Sequence, residues 1–551
     1  MMKQKVRSGG MFRWKKVLVM GLGLHGGGAA TVRWLLLHGA KVTTTDLRTP
    51  KVLAPSLRAL RGLPIRFVLG KHRMADFRSH DLIVVGPGVL RESPYLEVAK
   101  KAGKTIENDA SLFFRYLTNP VIAVTGTRGK TTTTLWVAEL LKKKYPAVRQ
   151  SGTPDNAELR EFERINKKNI PAVVELSSWQ LEYLPQSGKA PHVAAITNIY
   201  PEHLNRYRNI KHYASAKANI FLHQHKEDML VLNYDDPWHK YFLNKKPKSA
   251  VYFISTKVLP KKLKGAYVKN GELVLRIPKN KQGRTLLKET TILPVERFVR
   301  ERGKHNMENL LQAVLIAKLF DPKLKVTERD ALLLPIPHMR QETIYRKGRL
   351  MIINDSAATS PDGTIAAIKR FATPLQGRTK IQGLGKIQGL ALGATSSRPD
   401  LVFSPDLGFS QTLKHRKPKV ILIAGGTDKK LEFDGLAKEI KKYIPKKQLV
   451  LLEGSATTKL IASLRKQKYF SQYEPLEYLD LASCIKEAFR VARQIQGAAD
   501  STRSEKDTRS GLEEVALRPD LVSFSDFVLR GTRGCSLVPV VILFSPGAAS
   551  F

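Results

Sequence analysis

The chain has 551 residues and only two cysteines, Cys484 and Cys535. Two are too few for a disulfide framework or a cysteine-built metal site, and a reducing cytoplasm is the expected setting. No apolar run approaches the length of a membrane span, so no membrane association is expected. Acidic residues are scarce, with 48 Asp plus Glu against 93 Lys plus Arg and a net charge of +45. Such a field draws anionic partners. The charge is spread along the chain, however, without zinc-finger spacing, an aromatic RNA-binding signature or an Arg/Gly tract. A small anionic substrate is therefore expected, and no specific nucleic acid. Hydrophobic content of 42% and aromatic content of 8% exclude a disordered chain. The length exceeds what one core can hold and predicts two to four domains.

What is present is a repeated alternation of strand and helix patterns. Residues 1–16 read as a basic extension, with Met11 a second candidate start. Lys15 and Lys16 before a short apolar run mimic a signal peptide, but the run is glycine-broken and reads better as a strand. The region 17–117 predicts strands at 17–20, 41–45 and 81–85 and a helix over 29–38, a doubly wound parallel sheet. A second α/β unit, 118–336, predicts strands at 121–125, 172–176 and 193–197. More polar strands follow near 251–256, 266–275 and 291–295, then a helix over 307–320. A third unit, 337–551, predicts strands at 350–353, 420–423 and 449–452. Two near-repeats, around 376–416 and 497–536, look foreign to it. Connections of that length are uncommon in compact domains, and disordered insertions are expected.

The chemistry-bearing segments sit at predicted strand ends. Gly126-Thr-Arg-Gly-Lys-Thr-Thr132 follows a β-branched strand and opens a helix. That is the geometry in which backbone N–H groups and a lysine face a polyphosphate, with a hydroxyl placed for Mg²⁺. The strict phosphate-loop pattern wants a further glycine where Val124 stands. Glu175, in Glu-Leu-Ser-Ser-Trp-Gln-Leu, ends another strand, where a carboxylate can complete a Mg²⁺ shell with the Thr131 hydroxyl and phosphate oxygens. His203, in Asn198-Ile-Tyr-Pro-Glu-His, follows a third strand end and is a metal or substrate candidate. Lys217 reads from local pattern alone as an ordinary helix lysine. Near the N-terminus, Gly21-Leu-Gly-Leu-His-Gly26 and Asp46-Leu-Arg48 follow the first two strands, and Gly86-Pro-Gly88 follows a later one. Turns of this kind let backbone approach a pyrophosphate, and an acid at the next strand end suits a ribose.

In this order, these segments resemble the Mur ligases, and among them the D-glutamate-adding branch. The Glu-Leu-Ser-Ser-x-Gln-Leu and Glu-His-Leu-x-Arg-Tyr phrases carry most of the specificity. The resemblance implies three α/β domains, each on a mainly parallel sheet: Rossmann-like, P-loop-type and Rossmann-like in turn. It implies a cytoplasmic, monomeric enzyme of peptidoglycan precursor synthesis. ATP would activate the carboxylate of UDP-N-acetylmuramoyl-L-alanine as an acyl phosphate, which the D-glutamate amine then attacks. By the same resemblance, Lys130, Glu175, His203 and Lys217 are the catalytic set. ATP would meet Gly126, Thr127, Arg128, Gly129, Lys130, Thr131, Thr132, Asn306, Asn309, Arg340 and Asp355. One Mg²⁺ would sit on Thr131 and Glu175, and a second on His203 and a carbamylated Lys217. The UDP-sugar would meet Leu24, His25, Gly26, Asp46, Arg48 and Gly88, and D-glutamate would meet Thr359, Lys429 and Ser550.

The sequence departs from the family pattern in places. Arg128 replaces a loop asparagine, the family's Gly-Asn-Ile-Gly loop is not recognisable around 152–156, and Ala357 stands where a lysine is usual. The chain stops within the family's late motif, so the closing segment is expected to be absent. These departures leave a second reading, a non-catalytic relative that still binds nucleotide and UDP-sugar. A third, nucleic-acid binding, rests on charge alone.

Overall fold

The computed structural model describes residues 10–24, 26–153, 156–168, 170–204, 206–281, 284–347, 350–358, 360–372, 418–428, 431–470, 475–496 and 540–547. His25, Thr359, Lys429, Ser550 and both near-repeat segments lie outside the described residues. The chain divides into two compact units, Met1–Pro335 and Ile336–Phe551.

The first unit carries two sheets. The first has strands β1 (Lys16–Met20), β2 (Lys41–Asp46), β3 (Ile65–Leu69), β4 (Leu82–Val85) and β5 (Thr105–Asn108) in the order β3-β2-β1-β4-β5. Every pairing is parallel. Helices cover both faces of such a sheet, so β1 and β4 are apolar almost throughout. Strand order reverses between β1 and β4, which opens a crevice at their C-terminal ends.

The second sheet is built from β6 (Val121–Thr125), β7 (Gln150–Ser151), β8 (Ala172–Glu175), β9 (Val193–Ile196), β10 (Met229–Asn233), β11 (Ala250–Ser255), β12 (Gly265–Lys269), β13 (Glu272–Lys281) and β14 (Arg284–Pro294). Their order is β14-β13-β12-β11-β10-β9-β6-β8-β7. From β7 to β12 the neighbours run parallel, and β12, β13 and β14 close the edge as antiparallel ribbons. The single strand expected over 266–275 is therefore corrected. The chain reverses at Asn270 and Gly271, both at positive φ, and Lys269 pairs with Glu272. That is a two-residue Asn-Gly hairpin, whose twist matches the flanking strands. The helix Met307–Phe320 forms as expected. It is apolar on nearly every side because it is sandwiched between the sheet and the helix Lys130–Lys142.

The second unit holds one sheet of β15 (Glu342–Lys347), β16 (Leu350–Asn354), β17 (Lys419–Gly425), β18 (Leu449–Leu452), β19 (Glu477–Tyr478) and β20 (Val540–Phe544), in the order β15-β16-β20-β17-β18-β19. β20 comes last in sequence yet lies in the middle, parallel to both β16 and β17. Among the described residues no helix is long and apolar enough to cross a membrane.

Candidate active site

The loop after β6 is held by glycine geometry. Gly126 has φ +144° and Gly129 has φ +79°, a backbone region that disfavours side chains. A Cβ on Gly126 would come within 1.8 Å of Thr197 Oγ1, and one on Gly129 within 2.2 Å of Asn309 Oδ1. Neighbouring strand ends fix the loop. Thr127 N–H donates to Asn198 O at 2.8 Å, Arg128 N–H to Asn198 Oδ1 at 2.9 Å, and Thr197 Oγ1–H to Arg128 O at 2.6 Å. Gly129 then caps the helix Lys130–Lys142, whose first turn presents backbone donors at the loop. The Lys130 ammonium rests on Thr127 O at 3.0 Å, and Thr132 is buried beside the half-buried Thr131. The Arg128 guanidinium lies 4.7 Å from the Tyr200 ring centre.

Glu175 and Lys217 reach the same edge. Glu175 ends β8, paired in register with Val124 of β6. Its Oε2 is buried and has no hydrogen-bond partner among the described residues. A desolvated carboxylate oxygen without a donor is costly unless a cation or proton meets it. Lys217, on the helix Ile210–Ala218, is buried with Nζ 3.4 Å from Thr125 Oγ1 and 4.6 Å from the Tyr213 ring centre. Burial, with the nearby Lys130 charge adding, holds its amine well below the usual lysine range, against the pull of Glu202 and Glu175. His203 has φ +56°, a strained region for a histidine. Its ring stands edge-on to Trp179 at 4.9 Å and to Tyr213 at 6.2 Å, and Nε2 is 3.8 Å from Glu202 Oε2. Lys130, Glu175 and Lys217 thus share one electrostatic neighbourhood, and His203 joins Lys217 through the Tyr213 ring between them.

Among the described residues no group of three or more His, Cys, Asp or Glu is arranged to hold a metal ion. The expected donor set needs no such group. It draws on a hydroxyl, one carboxylate, one imidazole and a modified lysine, with phosphate oxygens to complete each shell. The partnerless Glu175 oxygen fits a cation there.

Other expected residues have more structural partners than the sequence indicated. Asn309 Oδ1 accepts from Thr133 Oγ1 at 3.2 Å and its amide donates to Asn306 Oδ1 at 3.0 Å, so the pair buttresses the phosphate loop. In the first sheet, Leu24 and Gly26 lie after β1, and Asp46 and Arg48 at the end of β2. Asp46 accepts from Gly23 N–H at 3.3 Å and Arg48 N–H at 2.9 Å, with the Arg48 guanidinium at 3.8 Å, so it holds its own loop. Gly88 is exposed across the crevice, after β4. Arg340 and Asp355 are together in the second unit. Asp355 accepts from Gln341 N–H at 3.0 Å and Ser545 Oγ–H at 2.8 Å, and burial pushes its carboxyl up to about 6.

Sequence reading missed Thr197, Asn198, Glu202 and Tyr213. It also treated the Glu175–Leu181 phrase as one unit. Ser177 and Gln180 form a capping box for the helix Ser178–Leu181, and Gln180 Nε2 donates to buried Glu158 at 2.8 Å. Burial, reinforced by Asp109, pushes the Glu158 carboxyl well above its usual range. Of the phrase, Glu175 brings a carboxylate to the loop and Trp179 packs against His203. A Ser-x-x-Gln spacing is the available signal for the capping role.

Comparison with known proteins matches this layout. The Mur ligase middle domain matches residues 124–317, and the N-terminal domain of MurD-like Mur ligases matches residues 15–107. A UDP-N-acetylmuramoylalanine–D-glutamate ligase of Roseiflexus sp. is 36% identical over 455 residues, covering 82% of this chain and 86% of that protein. The chain belongs to the Mur ligases, in the D-glutamate-adding branch. The same-named protein of Clostridioides difficile is 31% identical, covering 87% of this chain and 91% of its own. Among solved structures, the UDP-N-acetylmuramate–alanine ligase of Thermotoga maritima is 18% identical with a TM-score of 0.46, covering 88% of this chain and 100% of that one.

Proposed function

We infer that this Mur ligase joins D-glutamate to UDP-N-acetylmuramoyl-L-alanine at the expense of ATP, as a cytoplasmic monomer in peptidoglycan precursor synthesis. One observation carries the reading: the glycine-held loop, the Lys130 and Lys217 amines and a buried, partnerless Glu175 oxygen meet at one sheet edge.

A substrate carboxylate oxygen attacks the γ-phosphorus, ADP leaves, and an acyl phosphate forms. The D-glutamate amine then attacks that carbonyl, phosphate leaves, and the amine gives up a proton. The protein's part is positioning and charge neutralisation. The first turn of the helix Lys130–Lys142 and the Lys130 ammonium cradle the phosphates. For this the ammonium turns from Thr127 O toward the γ-phosphate. Thr127 and Arg128 contribute shape, since their own N–H groups are engaged by Asn198. Thr131 and Glu175 would hold one Mg²⁺, and His203 with carbamylated Lys217 a second; bound there, the metal neutralises phosphate oxygens. What supports the carbamate is the Lys217 setting, a hydroxyl and a ring face, with no carboxylate paired to its nitrogen among the described residues. The nucleotide sugar lies along the crevice between β1 and β4, at Leu24, His25, Gly26, Asp46, Arg48 and Gly88. By the family resemblance, Arg340 and Asp355 would also meet ATP, and Thr359, Lys429 and Ser550 would receive D-glutamate.

The test is phosphate release from ATP with UDP-N-acetylmuramoyl-L-alanine, with and without D-glutamate. Strict dependence on both supports the reading. Nucleotide binding without turnover would favour the non-catalytic relative, which no present observation favours.

A further inference from the structure

The residues that carry ATP chemistry and those that carry the nucleotide sugar sit on different sheets of the first unit. One side chain ties them. Arg206, three residues after His203, is largely buried, and so is its partner Glu182. Its Nη1 donates to Pro87 O at 3.1 Å, and its Nη2 to Val89 O at 3.2 Å. The same guanidinium meets Glu182, with Nε to Oε1 at 3.4 Å and Nη2 to Oε2 at 3.1 Å. Glu182 is itself braced by the Tyr207 hydroxyl at 2.6 Å, and the Trp179 ring centre lies 5.8 Å from the guanidinium. The two carbonyls that Arg206 takes flank Gly88, where added bulk would meet open space. On the other side, the backbone N–H of Arg206 donates to His203 O at 2.9 Å.

We propose that Arg206 is a positioning residue which, by gripping the Pro87 and Val89 carbonyls while anchored on Glu182, sets the span between the Gly88 turn and the His203 segment. It touches neither substrate. The proposal rests on the ligase reading, since it matters only if the sugar nucleotide binds the turn and its carboxylate must reach the phosphate loop. A guanidinium donates from three nitrogens in a fixed fork and here meets a carboxylate and two carbonyls at once, whereas an ammonium donates from a single nitrogen. Losing the fork frees the turn to shift, and misplacement of about 1 Å costs reaction rate up to about 100-fold.

The experiment compares Arg206→Lys and Glu182→Gln with the wild type in the phosphate-release assay, with KM measured separately for each substrate and Tm recorded. Arg206→Lys is expected to raise KM for the nucleotide sugar about tenfold and lower kcat about tenfold or more, with KM for ATP and Tm unchanged. Glu182→Gln keeps an acceptor oxygen and should lose markedly less. A parallel rise in both KM values, a loss that follows Tm, or a silent Arg206→Lys in an active enzyme overturns the proposal. A wild type that binds the nucleotide sugar but releases no phosphate sinks the ligase reading instead. The proposal is then decided by calorimetric affinity for that nucleotide sugar, where equal affinity in Arg206→Lys overturns it.

Discussion

Replacing Gly126 by alanine tests the loop geometry directly. The new Cβ would fall 1.8 Å from Thr197 Oγ1 and 3.0 Å from the Thr197 backbone nitrogen, at a φ of +144°. The backbone strain costs about 1–3 kcal/mol. Forcing a methyl into a packed site costs about 1–3 kcal/mol more. The hydroxyl must rotate away and give up its bond to Arg128 O, a further loss of about 1 kcal/mol. Together Gly126→Ala should cost about 3–7 kcal/mol, a large share of the roughly 5–15 kcal/mol typical of a domain. Thr197→Ala alone should cost only about 1 kcal/mol, because Arg128 O keeps the Asn198 amide at 3.3 Å. In the double variant the 1.8 Å overlap disappears, while the strain at φ remains. The double should therefore be about 1–2 kcal/mol more stable than the sum of the singles predicts. Urea unfolding followed by tryptophan fluorescence measures all three. Strict additivity, or a Gly126→Ala protein as stable as wild type, would refute the packing argument.

Lys130→Ala should slow phosphate release by roughly two to three orders of magnitude, the scale of one preorganised charge donor. A near-wild-type rate removes Lys130 from the mechanism. Lys217→Arg keeps a long basic side chain but cannot take up CO₂, and a fall in kcat of about 100-fold is expected on the scale of a lost transition-state charge contact; unimpaired turnover rules the carbamate out. Asp355 keeps its proton in the folded state up to about pH 6, against 3.8 for the free group. The folded state binds the extra proton between those values, so this group's stabilising effect is complete below about pH 4, lost as pH rises to about 6, and flat above. The difference corresponds to about 3 kcal/mol. Asp355→Asn should remove that slope from unfolding measured between pH 4 and 7, and an unchanged slope would contradict the burial argument.

The strands that could be read from sequence were those with a closed apolar run and a glycine behind it, such as β1 and β6. The missed ones share a different property. β3, Ile-Arg-Phe-Val-Leu, is partly exposed at its edge and carries an arginine, so its pattern looks like neither a buried nor a half-buried strand. β20 is apolar throughout, but the strands it pairs with, β16 and β17, come much earlier in the chain. Its position between β16 and β17 is non-local and cannot be inferred from order along the chain. The β12–β13 turn was legible, because Asn270-Gly271 is a strong hairpin signal, and it was passed over in favour of one long strand.

The site divides along the same line. Lys130 and Glu175 were readable because Glu175 ends a strand, and Lys130 follows one across a glycine loop, with a pattern that is local in each case. Lys217 was not, because its meaning comes from a hydroxyl at Thr125 and a charge at Lys130, both distant in sequence. The segment from Asn198 to Tyr207 shows the limit most clearly. It has no periodicity to read, yet three of its described polar residues serve different neighbours. Asn198 clamps the phosphate loop, His203 stands against Trp179, and Arg206 reaches the first sheet. A substitution at any one of them shifts the backbone that carries the others. Loss of activity alone in a single variant of this segment therefore does not assign the effect to one contact, which is why KM for each substrate and Tm are read beside kcat for Arg206→Lys. Paired substitutions, with the partner on the neighbouring strand or turn changed as well, are what can separate a ligand from the residue that holds it in place.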